Sequence, residues 1–202
     1  MVNIMQHYTM NSKDEEYAIS ETYLLCSFTI IAIKNIYDTK YEKYYKDNMI
    51  WYNLQNIALY TSDIAKLLWG SNSKNSNDRK KVREILNVTD DFYINRFENE
   101  NLRDLRNSLE HIDEGLIKFN RRQHIMVEKQ VIGNLYQTIK VGDKVFTPTK
   151  DETLRVYDPH KHEFFIFGYS FNLDKILDDV VKINNNAVQW LSDNNIPYLV
   201  TA

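Results

Sequence analysis

Arg106, Asn107 and His111 are the residues whose types and spacing best suit chemistry. Histidine gains and loses a proton near neutral pH, whereas arginine holds a fixed cation. The set therefore supplies a proton carrier next to a charge that stabilises a developing anion. Positions 107 and 111 are four apart, so on a helix they are neighbours, and the long stem of Arg106 reaches the same region.

A helix is what must position them. Leu102, Leu105, Leu109, Ile112, Leu116 and Phe119 recur at spacings of three and four, which predicts a helix over about 98–119 with one apolar seam. At ~100° per residue, Arg106 lies roughly 90° from the seam's centre, Asn107 roughly 170° and His111 roughly 130°. All three point away from the chain's own core. A plainer arrangement uses the same residues: Arg106 pairs with Glu110 or Asp113 on the helix surface, and His111 fills a polar dimer contact. Exposed pairs of that kind contribute only ~0.3–0.5 kcal/mol.

The other elements fall into a helical part and a β-containing part. Ser12 with Glu15 reads as a capping box before a helix over about 14–37, apolar over much of its circumference at Leu24, Leu25, Phe28, Ile31 and Ala32. A Tyr- and Lys-rich connector, 38–46, leads to a second helix over about 47–68. The loop 70–77 then ends on Asn77, placed to cap a short basic helix over 78–86. Its Arg79, Lys80, Lys81 and Arg83 form either a solvated face or a polyanion contact. Together these helices predict a mainly α bundle.

After Gly133 the period changes. Residues 135–141 and 144–149 flank Gly142-Asp143 as a hairpin, and 153–158 with 163–169 form a second around Pro159-His160-Lys161. Phe164 to Phe167 is a continuous apolar run, as in a strand covered on both faces. Asn172 caps a final helix to about 191, with Leu173, Ile176, Leu177, Val180, Val188 and Leu191 inward. The expected architecture is thus a bundle over 14–122 and an appended antiparallel β element with a closing helix over 134–202, packed as one domain.

The run Arg106-Asn107-Ser108-Leu109-Glu110-His111 resembles the Arg-x(4–6)-His motif of the HEPN superfamily, including the polar residue directly after the arginine. Leu102 to Asn107 and Glu110 to Glu114 are similar to the extended motif of bacterial members. So are Trp51-Tyr52-Asn53-Leu54-Gln55 and the stretch Ser62 to Trp69. The resemblance covers about residues 14–122. It implies a helical bundle that commonly dimerises, and a metal-independent ribonuclease of toxin–antitoxin, abortive-infection or other phage-defence type. On that basis Arg106 and His111 are the catalytic pair, with Asn107 orienting one of them. Arg103, Lys118, Arg121 and Arg122 are then available to hold phosphates of the RNA. RNA carries its own nucleophile in the 2′-hydroxyl, so no cofactor or metal is expected. A homodimer placing two such pairs at one seam would supply both acid and base. Many relatives bind nucleotides or proteins without cutting RNA, which leaves a non-catalytic regulatory protein as the alternative. No nucleotidyltransferase signature is present, so an antitoxin or defence partner would be encoded separately.

Other signals point to less. Asp158, His160 and His162 alternate as ligands on a strand face would, but Pro159 and Lys161 read as a turn. The basic residues Lys118, Arg121 and Arg122, with His124, also suit a helix C-terminus. Cys26 is the only cysteine, which excludes an internal disulfide and zinc sites built on paired cysteines. A formal charge of −3 provides no global basic field for nucleic acid. No Gly-rich phosphate loop, nucleophile elbow or zinc-protease helix occurs. Residues 1–10 lack the basic segment of a secretory signal. The apolar run 23–33 is about half of the roughly 20 residues a bilayer span needs, so the expectation is a cytoplasmic protein without membrane contact.

Overall fold

A computed structural model describes residues 12–38, 43–70, 76–99, 102, 104–105, 107, 111, 128–132, 139–141, 144–146, 153–166 and 168–198. Its helices are α1 (Ser12–Tyr37), α2 (Lys43–Trp69), α3 (Ser76–Ile85), the single turn α4 (Arg96–Asn99) and α5 (Leu173–Asp193). The strands are β1 (Glu128–Ile132), β2 (Ile139–Val141), β3 (Lys144–Phe146), β4 (Thr153–Asp158), β5 (Glu163–Ile166) and β6 (Tyr169–Asn172). The protein is mainly helical, with a small sheet and a C-terminal helix, as its patterning predicts.

Helix α1 is central, packed against α2 and α5. Two neighbours require two apolar stripes, which is why α1 buries Ile19, Tyr23, Cys26 and Ile33 and also Leu25 and Ala32. Length and composition alone would let the helix Lys13–Tyr37 cross a membrane, yet 56% of its most apolar window is buried inside the fold. Its polar residues are satisfied locally. Thr22 and Thr29 donate to the carbonyls of Ala18 and Leu25 at 2.7 and 2.8 Å. On α2, Ser62 and Asn53 donate to Ala58 and Met49 at 2.7 Å each.

The connector 38–46 is shorter than its composition suggests, because helix α2 begins at Lys43. Asn77 does not cap α3 but lies within it, since that helix starts at Ser76. Asn172 is the expected cap. Its backbone is extended (φ −104°, ψ 126°) and its side-chain oxygen accepts from the Lys175 N–H at 3.0 Å. Helix α5 buries Leu173, Ile176, Val180, Ile183, Ala187 and Leu191, a seam at helical spacing, while Leu177 and Val188 are half-buried beside it.

Both expected hairpins form. β2 pairs antiparallel with β3, and β4 with β5 in the register Asp158↔Glu163. The second hairpin's return strand stops at Ile166, short of residue 169. Gly168, at φ +84°, allows a reversal that most side chains would resist, and β6 folds back on β5. A strand not foreseen, β1, adds parallel to β4, so the sheet order is β1-β4-β5-β6.

Phe164, Phe165 and Ile166 are all buried, as expected for a strand covered on both faces. Phe165 packs with Val156 on one side. On the other, Phe164 and Phe171 stand edge to face at 4.9 Å, and they reach Trp51 and Phe97 at 6.0 and 5.7 Å. One apolar core therefore takes residues from α1, α2, α5 and the sheet.

Candidate functional site

The chain enters the candidate helix through a 3-10 turn, Tyr93–Asn95, that is tied down on several sides. The Ile94 N–H donates to the buried Asp179 carboxylate of α5 at 3.0 Å. The Tyr93 hydroxyl accepts from the Asn172 N–H at 3.0 Å, and the Asn95 amide donates to the Asp90 carbonyl at 2.8 Å. Arg96 and Lys175 lie over the Tyr93 ring at 4.9 and 5.4 Å. Phe97, fully buried, then packs on Phe171.

Beyond this anchor, Leu102, Asp104, Leu105 and Asn107 are helical. Leu102 and Leu105 are buried, whereas Asp104, Asn107 and His111 are exposed. The His111 N–H donates to the Asn107 carbonyl at 3.0 Å, the i to i−4 bond of a helical turn. The helix expected over 98–119 is not helical at His111, which stands in a turn joined to Asn107 by that bond, with both side chains exposed. Arg106 lies outside the described residues, as do Arg103, Lys118, Arg121, Arg122, His124 and the seam residues Leu109, Ile112, Leu116 and Phe119.

The alternating Asp158, His160 and His162 do not converge. Asp158 is buried and its Oδ1 accepts from the His160 and Lys161 N–H groups at 2.9 and 3.3 Å, closing the β4–β5 turn. His162, at φ +50°, turns instead to α5, its Nδ1 at 2.9 and 3.0 Å from the two Asp174 oxygens. Tyr37 donates to the same carboxylate at 2.6 Å, and its ring stacks on the imidazole at 4.5 Å. Burial, then the bond to Asp174, pushes the Tyr37 phenol far up; burial pushes Tyr157 up to about 12. Desolvation works against the Asp174 carboxylate, but the bonds from Tyr37 and His162 outweigh it and hold its pKa below the ordinary value. This cluster clasps the end of α1, the β4–β5 turn and the start of α5. A carboxylate on Nδ1 also orients the imidazole. Tyr37 and Asp174 carry no sequence signal for this role, since the contact spans positions 37, 162 and 174.

The basic face of α3 is divided, with Lys80 and Lys81 exposed and Arg79 and Arg83 half-buried. Arg79 donates to the Gly70 carbonyl and Arg83 to that of Leu68, so both bind the C-terminal end of α2. Lys81 pairs with Glu15 of α1, and the Lys80–Glu84 pair, at 3.7 Å, is exposed on both sides.

Comparisons with protein-family models, with curated proteins and with solved structures give no match for this chain.

Proposed function

We propose that the chain is a metal-independent endoribonuclease of phage-defence or toxin–antitoxin type, acting as a cytoplasmic homodimer with Arg106, Asn107 and His111 at its site. One observation carries this reading: Asn107, on a helix whose Leu102 and Leu105 are buried, and His111, in a turn whose N–H bonds back to the Asn107 carbonyl, are both exposed. An outward imidazole beside an outward amide is accessible to a polymer substrate, which a core histidine is not.

The chemistry needs little from the protein. One imidazole takes the proton of a 2′-hydroxyl, whose oxygen then attacks the adjacent phosphorus. The P–O5′ bond breaks, and a second, protonated imidazole gives its proton to the leaving oxygen. The products are a 2′,3′-cyclic phosphate and a free 5′-hydroxyl. A guanidinium at the phosphorane balances its extra negative charge. Two copies of the helix across a two-fold axis provide the two imidazoles.

The experiment is cleavage of single-stranded RNA by purified protein in EDTA. Wild type should cut, and His111→Ala and Arg106→Ala should each abolish cutting while circular dichroism remains native. Cutting unchanged in either variant rejects the site. No cutting by the wild type, with a nucleotide or partner protein retained through purification, would instead identify a regulatory binding protein.

A further inference from the structure

We propose that the outer face of α1 is a docking surface for a second copy of this chain, packed antiparallel about a two-fold axis near Leu24. The proposal is independent of the ribonuclease reading. It concerns another surface than Asn107 and His111, and RNA cleavage is not its readout.

Helix α1 lies between α2 and α5, so the side it turns to neither should be polar if only water covered it. That side is apolar instead. Of the five large apolar residues exposed among the described ones, three are on this helix: Tyr17, Phe28 and Ile31, at 70, 38 and 42%. With the half-buried Leu24 they fall within about 60° of arc, at ~100° per residue. The neighbouring helices continue the surface. The Tyr60 ring of α2 lies 5.6 Å from that of Phe28. On the other side, Asn184 of α5 donates to the Ser27 hydroxyl at 2.9 Å, and the exposed Val181 stands one turn before Asn184. Single exposed apolar residues are ordinary, whereas a stripe continued across three helices marks an interaction surface.

The symmetry of the stripe identifies the occupant. An isologous contact requires residues arranged alike on either side of one centre. Tyr17 and Ile31 stand seven residues to either side of Leu24. Glu16 and Lys34 lie just beyond, about five turns apart and therefore in line along one flank. In an antiparallel copy Leu24 meets Leu24, Tyr17 meets Ile31, and each Glu16 meets a Lys34, twice by symmetry. Neither charged side chain is engaged elsewhere among the described residues. A parallel copy would bring the two acidic first turns together. The face is roughly 27 Å long and, across three helices, roughly 20 Å wide, so two copies cover on the order of 1,000 Å², enough for a specific contact of modest affinity.

Sedimentation equilibrium over a dilution series at low salt tests this. Phe28→Gln with Ile31→Gln should halve the mass of the assembly, whether or not another contact adds to it, with far-ultraviolet dichroism unchanged. Glu16→Lys or Lys34→Glu alone sets like charges opposite each other twice, and should weaken association on the order of tenfold. The double variant Glu16→Lys with Lys34→Glu restores opposite charges and should recover wild-type association to within about threefold. If the apolar variant fails to fold, the charge series decides alone. A wild type that sediments as a single chain overturns the proposal, and flotation of that chain on phosphatidylcholine vesicles would assign the face to lipid. A mass unchanged by the apolar variant, or a double charge variant no better than the single ones, overturns it as well.

Discussion

Asp179 is a buried carboxylate whose removal should loosen the entrance to the candidate helix. Only 7% of it is exposed, and its oxygens accept from the backbone N–H groups of Tyr93 and Ile94, the latter at 3.0 Å. Asp179→Ala leaves those donors without their acceptor. Each buried donor left unsatisfied costs about 1–3 kcal/mol, hence about 2–6 kcal/mol for the two, and relief of the buried charge offsets part of this, so the net loss should be about 2–4 kcal/mol. Asp179→Asn keeps an acceptor and sheds the charge, and should cost about 1 kcal/mol or less. Burial raises the Asp179 pKa, and the backbone bonds and Lys182 offset this only in part. The folded state therefore holds this proton more tightly than the unfolded chain, whose carboxyl titrates near 3.9. Wild-type stability must then fall as pH rises from about 3.9 through the folded pKa, a loss the asparagine variant lacks. Urea unfolding followed by tryptophan fluorescence at several pH values measures both effects. With a slope of about 2 kcal/mol/M, a 3 kcal/mol loss moves the midpoint by roughly 1.5 M. An asparagine variant as damaged as the alanine one, with the same pH dependence as wild type, would refute the reasoning.

Two further outcomes follow from the packing and the clasp. Phe171→Ala empties a site 1% exposed between Phe97 and Phe164, and should lower unfolding free energy by about 3–5 kcal/mol; a loss under about 1 kcal/mol would mean the sheet does not share the helical core. Asp174→Asn should lower the melting temperature at pH 7, because the native carboxylate is stabilised by Tyr37 and His162. A depressed pKa contributes stability above the unfolded value near 3.9 and loses it as pH falls through the folded value, so the two proteins should converge in acid. A gap that widens on acidification would contradict that.

Much of the local structure was legible because local rules set it. The Asn172 cap needs only its own side chain and the N–H three residues on. The β4–β5 turn is announced by Pro159 and closed by Asp158, two and three residues from its donors. The buried run Phe164 to Ile166 follows from apolar content alone. The outward face of Asn107 follows from helical period, since Leu102 and Leu105 are buried on the same helix.

What joins distant segments was not legible. The parallel pairing of β1 with β4 depends on a crossover that no residue pattern encodes, and its strand carried too short an apolar signal to be read. Arg79 and Arg83 look like a charged surface in isolation, and become helix-end ligands only once α3 lies beside the end of α2. The clasp of Tyr37, His162 and Asp174 and the bond from Ile94 to Asp179 span as many as 137 and 85 positions.

By itself, then, the sequence determined the elements and the side each turns to its neighbours, because hydrogen-bonding backbone and hydrophobic period act within a few residues. Tertiary structure alone decided which charges are used inside the fold and which face solvent. Desolvation and pairing depend on what comes to lie opposite, and that is known only when the helices and the sheet have met.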